Sequence, residues 1–226
     1  MSVDPISLAV VLALIALVPL AAVMTTSFLK IAVVLALVRN ALGVQQVPPN
    51  MALYGLALVL SAYVMAPVVN EVGAVLQHPM RAVQDADKDA AESSSARLSG
   101  ILLAMQAGVT PMRDFMLRNS EPEQRDFFLR TAKRIWGTEQ AEKLGQDDLL
   151  VLIPAFLVSE LTAAFQLGFL LYLPFIVIDL IVSNILLAMG MMMVSPVTIS
   201  MPLKLFLFVM VDGWTRLIQG LVLSYQ

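Results

Sequence analysis

"LIPAFLVSELTAAFQLGFLLYLPFIVIDLIVSNILLAMGMMMVSP", residues 152–196, is apolar over almost all of its length. The stretch is about twice as long as the roughly 20 residues that a membrane-spanning helix needs. Pro174 is its natural kink or boundary, because proline lacks a backbone N–H and its ring clashes with the preceding helical turn. The stretch therefore predicts an all-α fold built from long apolar helices, with two consecutive spans in this part of the chain.

The composition places the whole chain in the membrane class. It has 226 residues, of which 59% are hydrophobic and 14% are charged, whereas soluble domains are about one quarter charged. Residues 71–148 hold 10 of the 14 Lys and Arg residues and 13 of the 17 Asp and Glu residues. The acidic excess of this polar insert accounts for the net charge of −3, so no nucleic-acid partner is indicated. Cysteine is absent, which excludes disulfides and thiolate metal sites.

Two further apolar stretches precede the polar insert. Residues 6–24 are long enough to cross a bilayer, and Asp4 stands where a signal peptide would carry cations, so we expect a retained helix. A second span is predicted at residues 51–69, after a connector that contains Pro48 and Pro49. Together with the apolar segments beyond the insert, hydropathy predicts four spans in total.

The distribution of charge divides the chain into three predicted domains. Residues 1–70 form an N-terminal hydrophobic helical hairpin, and residues 71–148 form a polar, mostly helical insert. Residues 149–226 form C-terminal hydrophobic helices that include a methionine-rich loop.

Five charged residues lie in otherwise apolar sequence of the C-terminal block. Each costs several kcal/mol unless it is paired or faces water. They are Glu160, Asp179, Lys204, Asp212 and Arg216. Glu160 and Lys204 have opposite signs and lie in different predicted helices, so one can neutralise the other, either within a chain or between copies.

No catalytic constellation accompanies these charges. Asp179 and Asp212 suggest intramembrane aspartyl catalysis as an alternative, but "IDL" and "DGW" lack the glycine-aspartate loop of such proteases. Ser159 and Ser195 have no Gly-x-Ser-x-Gly motif around them, and His78 is predicted to lie in a polar loop. We therefore expect no enzyme activity, no cofactor and no metal. A secondary transporter would need corresponding repeats in two halves, and the two halves here differ in pattern.

Two blocks of sequence resemble a known family. "TTSFLKIAVVLALVRNALGVQQVPPNMALYGLALVLSAYVMAP", within residues 24–67, and "IPAFLVSELTAAFQLGFLLYLPFIVIDLIVSNILLAMGMMMVSPVTISMPLKLFLFVMVDGW", residues 153–214, are similar to the signature blocks of the FliP/SctR family. The resemblance implies a core component of the type III secretion export apparatus, which forms the entry conduit for unfolded proteins across the bacterial inner membrane. The tail "DGWTRLIQGLVLSY" and the "SPVTIS" segment resemble the injectisome branch (YscR, HrcR). A flagellar FliP-type subunit and a generic oligomeric membrane channel are the alternatives.

The resemblance also implies an assembly. Members of the family form a pentamer that joins SctS-like and SctT-like proteins in a helical, cone-shaped export gate, next to an SctU-like subunit and the basal-body rings. Much of this assembly lies on the periplasmic side of the inner membrane, so that the apparent spans become buried hairpin helices, with broken helices lining a pore. Glu160 and Lys204 match the positions of an inter-subunit ion pair. Asp179 is expected to form a hydrogen-bonded helix contact between subunits, with a proton-linked role as the alternative.

The methionine-rich loop is a candidate for closing the pore of this assembly. Met191, Met192 and Met193 lie between Gly190 and Pro196, two residues that we expect to hold the loop out of helical conformation. Methionine is apolar, unbranched and polarizable, so a ring of these side chains would form a compliant pore gasket. The alternative is that the three methionines fill gaps in the core.

Overall fold

The computed structural model describes residues 12, 16, 19–20, 22–44, 47–86, 108–136, 144–191 and 193–226, and all regular elements among them are helices. Six helices have defined bounds, and residues 108–118 are helical as well. The six are α1 (Phe28–Ala41), α2 (Asn50–Ala86), α3 (Pro122–Trp136), α4 (Leu149–Ala188), α5 (Pro196–Met210) and α6 (Gly213–Leu223). The predicted all-α class is confirmed.

Helix α2 contains the predicted span at residues 51–69. It begins directly after Pro49, whose carbonyl accepts a hydrogen bond from the Ala52 N–H at 2.9 Å. Its Asn50–Leu76 portion is long and apolar enough to cross a membrane. The helix then continues to Ala86, so the prediction that His78 lies in a loop is wrong. The span predicted at residues 6–24 lies mostly outside the described residues.

Helix α4 is one continuous helix of 40 residues. The prediction that Pro174 divides this region into two spans is therefore wrong. A proline removes only its own N–H from the helical ladder, whereas opening the helix in apolar surroundings would leave several backbone groups without partners. Within the described residues, two helices qualify as spans by length and composition, or three if α5 and α6, bent by 63°, count as one. The predicted total of four is not reached there.

The described helices belong to two compact units. We call Ser27–Val64 with Glu160–Gln226 the ion-pair unit, and Met1–Thr26 with Met65–Ser159 the insert unit. The predicted division into 1–70, 71–148 and 149–226 stays a prediction.

Helix α1 lies at the centre of the core of the ion-pair unit. Its Ile31, Val34 and Leu35 are fully buried, and they pack with residues from α2, α4, α5 and α6. Gly168 of α4 permits one close approach, because a Cβ atom there would overlap the side chain of Leu37. Burying an aliphatic side chain contributes about 1.5–3 kcal/mol, so α1 supplies much of the apolar stabilisation of this unit.

The insert unit has its own smaller apolar core. The rings of Phe115 and Phe156 meet edge to face, with 5.9 Å between their centroids. Between residues 108–118 and α3 the chain turns, and there the Ser159 hydroxyl accepts a hydrogen bond from the Glu121 N–H at 2.9 Å. Ser159 is thus a structural residue of this unit.

Candidate functional site

The first buried ion pair of the ion-pair unit joins α1 to α4. Lys30 Nζ lies 3.4 Å from Glu160 Oε1, and the two side chains are only 6% and 2% exposed. The Tyr225 hydroxyl donates a hydrogen bond to the other carboxylate oxygen, and the Tyr225 ring lies 4.1 Å from Lys30 Nζ. Burial and the nearby Glu160 carboxylate raise the pKa of Tyr225, so its hydroxyl stays protonated and remains a donor. The three side chains form one polar cluster in which Lys30 and Glu160 are buried and Tyr225 is partly buried.

The second ion pair joins α4 to α5. Lys204 Nζ lies 2.6 Å from Asp179 Oδ2, and Ser200 donates a hydrogen bond to Asp179 Oδ1. Because Ser200 and Lys204 are four residues apart on α5, they share one helix face. Lys204 also donates to the carbonyl of Ala41 at 3.3 Å, in the last turn of α1, where carbonyls lack helical partners. Lys204 therefore connects α5 to both α4 and α1.

The single chain does not bring Glu160 and Lys204 together. Each has a different partner of opposite charge within the ion-pair unit. The predicted pair between copies is not tested by one chain and stays a prediction.

Sequence reasoning missed Lys30, Tyr225 and Ser200 as partners of these charges. Lys30 carried a signal, because it is the single charged residue between Asp4 and Arg39. A buried cation in an apolar helix requires an anion, so Lys30 belonged with the other embedded charges. Tyr225 and Ser200 carried no such signal, since neutral hydroxyl groups occur at many positions of a chain.

The methionine loop begins where α4 ends. Gly190 adopts a left-handed conformation with φ of 74°. The Gly190 N–H donates a hydrogen bond to the Leu187 carbonyl at 3.0 Å, and the Met191 N–H donates one to the Leu186 carbonyl at 2.9 Å. This double hydrogen bond is the Schellman motif, which ends helices at a glycine. Pro196 then starts α5, because its fixed φ suits the first helical position.

The methionine side chains themselves extend from the chain. Met191 is 41% exposed and Met193 is fully exposed, while Met192 lies outside the described residues. Neither of the two described methionines fills a gap in the core of its own chain.

Long apolar helices, buried ion pairs and extensive exposed apolar side chains together define an all-helical protein of the membrane class. The chain belongs to the FliP family, whose sequence model matches residues 11–221. The resemblance inferred from residues 24–67 and 153–214 is thereby confirmed.

Its relatives have names from virulence-associated secretion. The chain is 53% identical over 222 residues to "Yop proteins translocation protein R" of Yersinia pestis, covering 98% of this chain and 97% of that protein. It is 48% identical over 223 residues to "Virulence protein YscR" of Salmonella typhimurium, covering 99% and 98%. It is 46% identical over 222 residues to "Harpin secretion protein HrcR" of Erwinia amylovora, covering 98% and 97%. The similarity therefore extends over nearly the whole chain.

Proposed function

We propose that the chain is a core subunit of the export gate of a type III secretion system of the injectisome type, where it helps to form the entry conduit for unfolded proteins at the bacterial inner membrane. The observation that carries the proposal is the near full-length similarity to proteins named for Yop translocation and harpin secretion. Deletion of the gene should abolish secretion and leave the membrane insertion of unrelated proteins intact. A deletion strain that still secretes would contradict the proposal.

We propose further that the chain acts as a homo-oligomer, a pentamer, together with SctS-like, SctT-like and SctU-like subunits. The support is a set of large apolar side chains that no part of the described chain covers. It includes Phe165, Phe169, Phe206 and Val209, which are 58–67% exposed. Particle images of the purified protein in detergent should show a closed ring or a short helical assembly. A uniform population of single chains would contradict this part of the proposal.

In this assembly the methionine loop acts as the gasket of the conduit. The supporting geometry is the helix end at Gly190, which directs Met191 and Met193 away from the core of their own chain. Alanine at Met191, Met192 and Met193 should make cells that express the partner subunits permeable to small solutes, while assembly and part of export persist. Leucine at all three positions keeps the apolar volume but branches at Cγ, so it should retain the seal and slow secretion.

A matched control tests whether leakage is specific to the methionine loop or follows from the loss of any exposed methionine. Met51 on α2 is 84% exposed, and Met51→Ala should change neither leakage nor secretion. If the triple alanine variant fails to assemble and no leak appears, the methionines belong to the packed core of the assembly and the gasket proposal is wrong.

Between copies, Glu160 and Lys204 form an ion pair when the gate assembles. The single chain adds a condition, because each residue must first leave or share its internal partner, Lys30 or Asp179. The chain has no cysteine, so thiol cross-linking has no background. Glu160→Cys and Lys204→Cys placed on two differently tagged copies should be joined in the assembled gate by a short bis-maleimide, because a Lys–Glu ion pair separates the two backbones by more than a disulfide spans.

The control for this cross-link is internal to one chain. A single chain that carries both Lys30→Cys and Glu160→Cys should be cross-linked within itself by the same reagent, because these two residues form the observed internal pair. Failure of the mixed copies to cross-link in particles that are assembled would show that the pair between copies does not form.

We propose that the subunit has no turnover of its own and that an ATPase and the proton-motive force elsewhere in the machine drive export. Asp179 then has a structural role, supported by its bonds to Lys204 and Ser200. Asp179→Asn should assemble and export. An assembled Asp179→Asn gate that exports nothing would favour a proton-linked role, and nucleotide or peptide hydrolysis by the purified protein would contradict the absence of turnover.

A further inference from the structure

Two apolar cavities adjoin Arg216 within the ion-pair unit. The larger, of about 310 Å³, extends toward Pro174 and Phe208, and the smaller, of about 250 Å³, extends toward Leu167 and Gly220. Both cavities are lined by Leu171 of α4 and by Arg216 and Leu217 of α6. The two cavities therefore form one apolar groove between α4 and α6, and Arg216 is the only charged residue among the described residues that line it.

Arg216 differs from the other cations of this unit. Lys30 and Lys204 each pair with a carboxylate, and Arg39 donates hydrogen bonds to the Pro48 carbonyl and to the Asn50 side chain. Within the described part of the chain, the Arg216 guanidinium has neither a hydrogen-bond acceptor nor an ion-pair partner. An arginine side chain keeps its positive charge at any physiological pH. Arg216 is exposed, so its charge faces the surroundings of the protein and not a partner within the described chain.

Asp212 is not an ion-pair partner of Arg216. It lies one turn before Arg216, and its backbone carbonyl accepts a hydrogen bond from the Arg216 backbone N–H at 3.1 Å, but the two side chains form no ion pair in the described structure. Asp212 itself adopts a left-handed conformation, with φ of 52°, at the start of α6. The backbone is bent by 63° between α5 and α6 at this point.

We propose that this groove binds an anionic phospholipid, with the phosphate at Arg216 and an acyl chain in the apolar cavities. Helix α4 and the bent α5–α6 pair are apolar enough to span a membrane, so lipid is the surrounding medium whenever this face is inserted. An unpaired charge is costly there, and a guanidinium forms paired hydrogen bonds to a phosphate group. The groove supplies the two features that such a lipid recognises: one cation and an adjoining apolar recess.

The chain contains a reporter for this site. Of its two tryptophans, Trp214 lies on α6 two residues before Arg216, and its ring packs edge to face on Phe208, 5.3 Å between centroids, at the wall of the larger cavity. Trp136→Phe leaves Trp214 as the only tryptophan, and bromine atoms on a lipid acyl chain quench tryptophan fluorescence at short range.

The experiment uses the full-length Trp136→Phe protein in phosphatidylcholine nanodiscs that contain a small fraction of brominated phosphatidylglycerol or, in parallel, of brominated phosphatidylcholine. Brominated phosphatidylglycerol should quench Trp214 at about a fivefold lower fraction, the effect of one cation on the binding of an anionic lipid. Arg216→Gln should remove this preference, and Arg216→Lys should retain most of it. Arg39→Gln, which changes a cation that already has partners, should leave it unchanged.

A second variant tests the cavity without changing the charge. A Cβ atom at Gly220 would meet no atom within 4 Å, so Gly220→Leu can fill the smaller cavity without a clash and should weaken quenching by brominated phosphatidylglycerol. Gly55 of α2 has the same free space and lines neither cavity, so Gly55→Leu is the matched control and should have no effect.

Three outcomes would overturn the proposal. Equal quenching by the two brominated lipids would show that Arg216 selects no anionic headgroup. Loss of the preference on adding soluble glycerol phosphate would show that the headgroup binds without an acyl chain in the groove. A photo-crosslinker attached at Leu171→Cys that joins two copies, with no quenching of Trp214, would show that the groove is covered by a second copy. None of these readouts depends on secretion, so the proposed export function is tested separately.

Discussion

Replacing Lys30 by methionine should be among the most destabilising single changes in the ion-pair unit. The two charges are 3.4 Å apart and the side chains are 6% and 2% exposed, so at an effective dielectric constant of about 20 their attraction is about 5 kcal/mol. Methionine approximates the length of lysine and removes only the charge. It leaves the Glu160 carboxylate buried with Tyr225 as its remaining donor, and removing one partner of a buried pair costs about 3–5 kcal/mol. For a chain of this size the loss corresponds to a fall of about 6–20 °C in Tm.

Thermal unfolding of the full-length protein in detergent micelles, followed by circular dichroism, measures this change. The double variant Lys30→Met with Glu160→Met should recover most of the loss, because replacing both members of a buried pair by apolar residues is often neutral. The Arg130–Asp126 pair on α3 is the control, since its side chains are 73% and 46% exposed. Arg130→Met should change the stability by less than about 1 kcal/mol. A Lys30→Met protein that unfolds at the wild-type temperature would refute the reasoning.

Three further predictions use the same unfolding measurement. Gly190→Ala should lower the free energy of unfolding by about 1–2 kcal/mol, because alanine must adopt a left-handed conformation there. Gly220→Ala, inside α6, should raise it by about 0.5–1 kcal/mol. Equal effects of the two substitutions would contradict the assignment of Gly190 to a helix end. Gly168→Ala should cost about 1–3 kcal/mol by overpacking against Leu37, and adding Leu37→Ala should recover part of that cost. Tyr225→Phe should cost about 1–3 kcal/mol, because a buried carboxylate oxygen loses its donor, and an unchanged Tm would mean that the hydrogen bond contributes nothing.

Much of the fold follows from local properties of the chain. The apolar runs at residues 51–69 and 152–196 predict long helices because apolar length is a property of the sequence alone. Gly190 and Pro196 predict the loop between α4 and α5 for the same kind of reason, since a left-handed backbone favours glycine and a first helical position suits proline. The family could also be inferred from sequence, because nearly half of the residues are shared with relatives over the whole length.

Proline marks one limit of this local reasoning. A helix that continues through Pro174 incurs a local penalty of about 3 kcal/mol or more, which a helix boundary at this residue would avoid. The outcome depends on the surroundings, because in an apolar environment the backbone groups released by a broken helix find no water to bind. Helix α4 therefore continues for 40 residues. His78 and the following Pro79 likewise lie inside a helix, α2, rather than in a loop.

The choice of ion-pair partners marks the other limit. The signs of Glu160, Asp179 and Lys204 predict that each needs a partner, because an unpaired charge in apolar surroundings is costly wherever it lies. Which partner it finds depends on the direction of each side chain around its helix, where one residue corresponds to about 100°, and on which helix faces meet. Glu160 faces Lys30 of α1, 130 residues earlier in the chain, and Asp179 faces Lys204 of α5. These pairings arise from the packing of α1, α4 and α5 against one another, which no single segment of the sequence encodes.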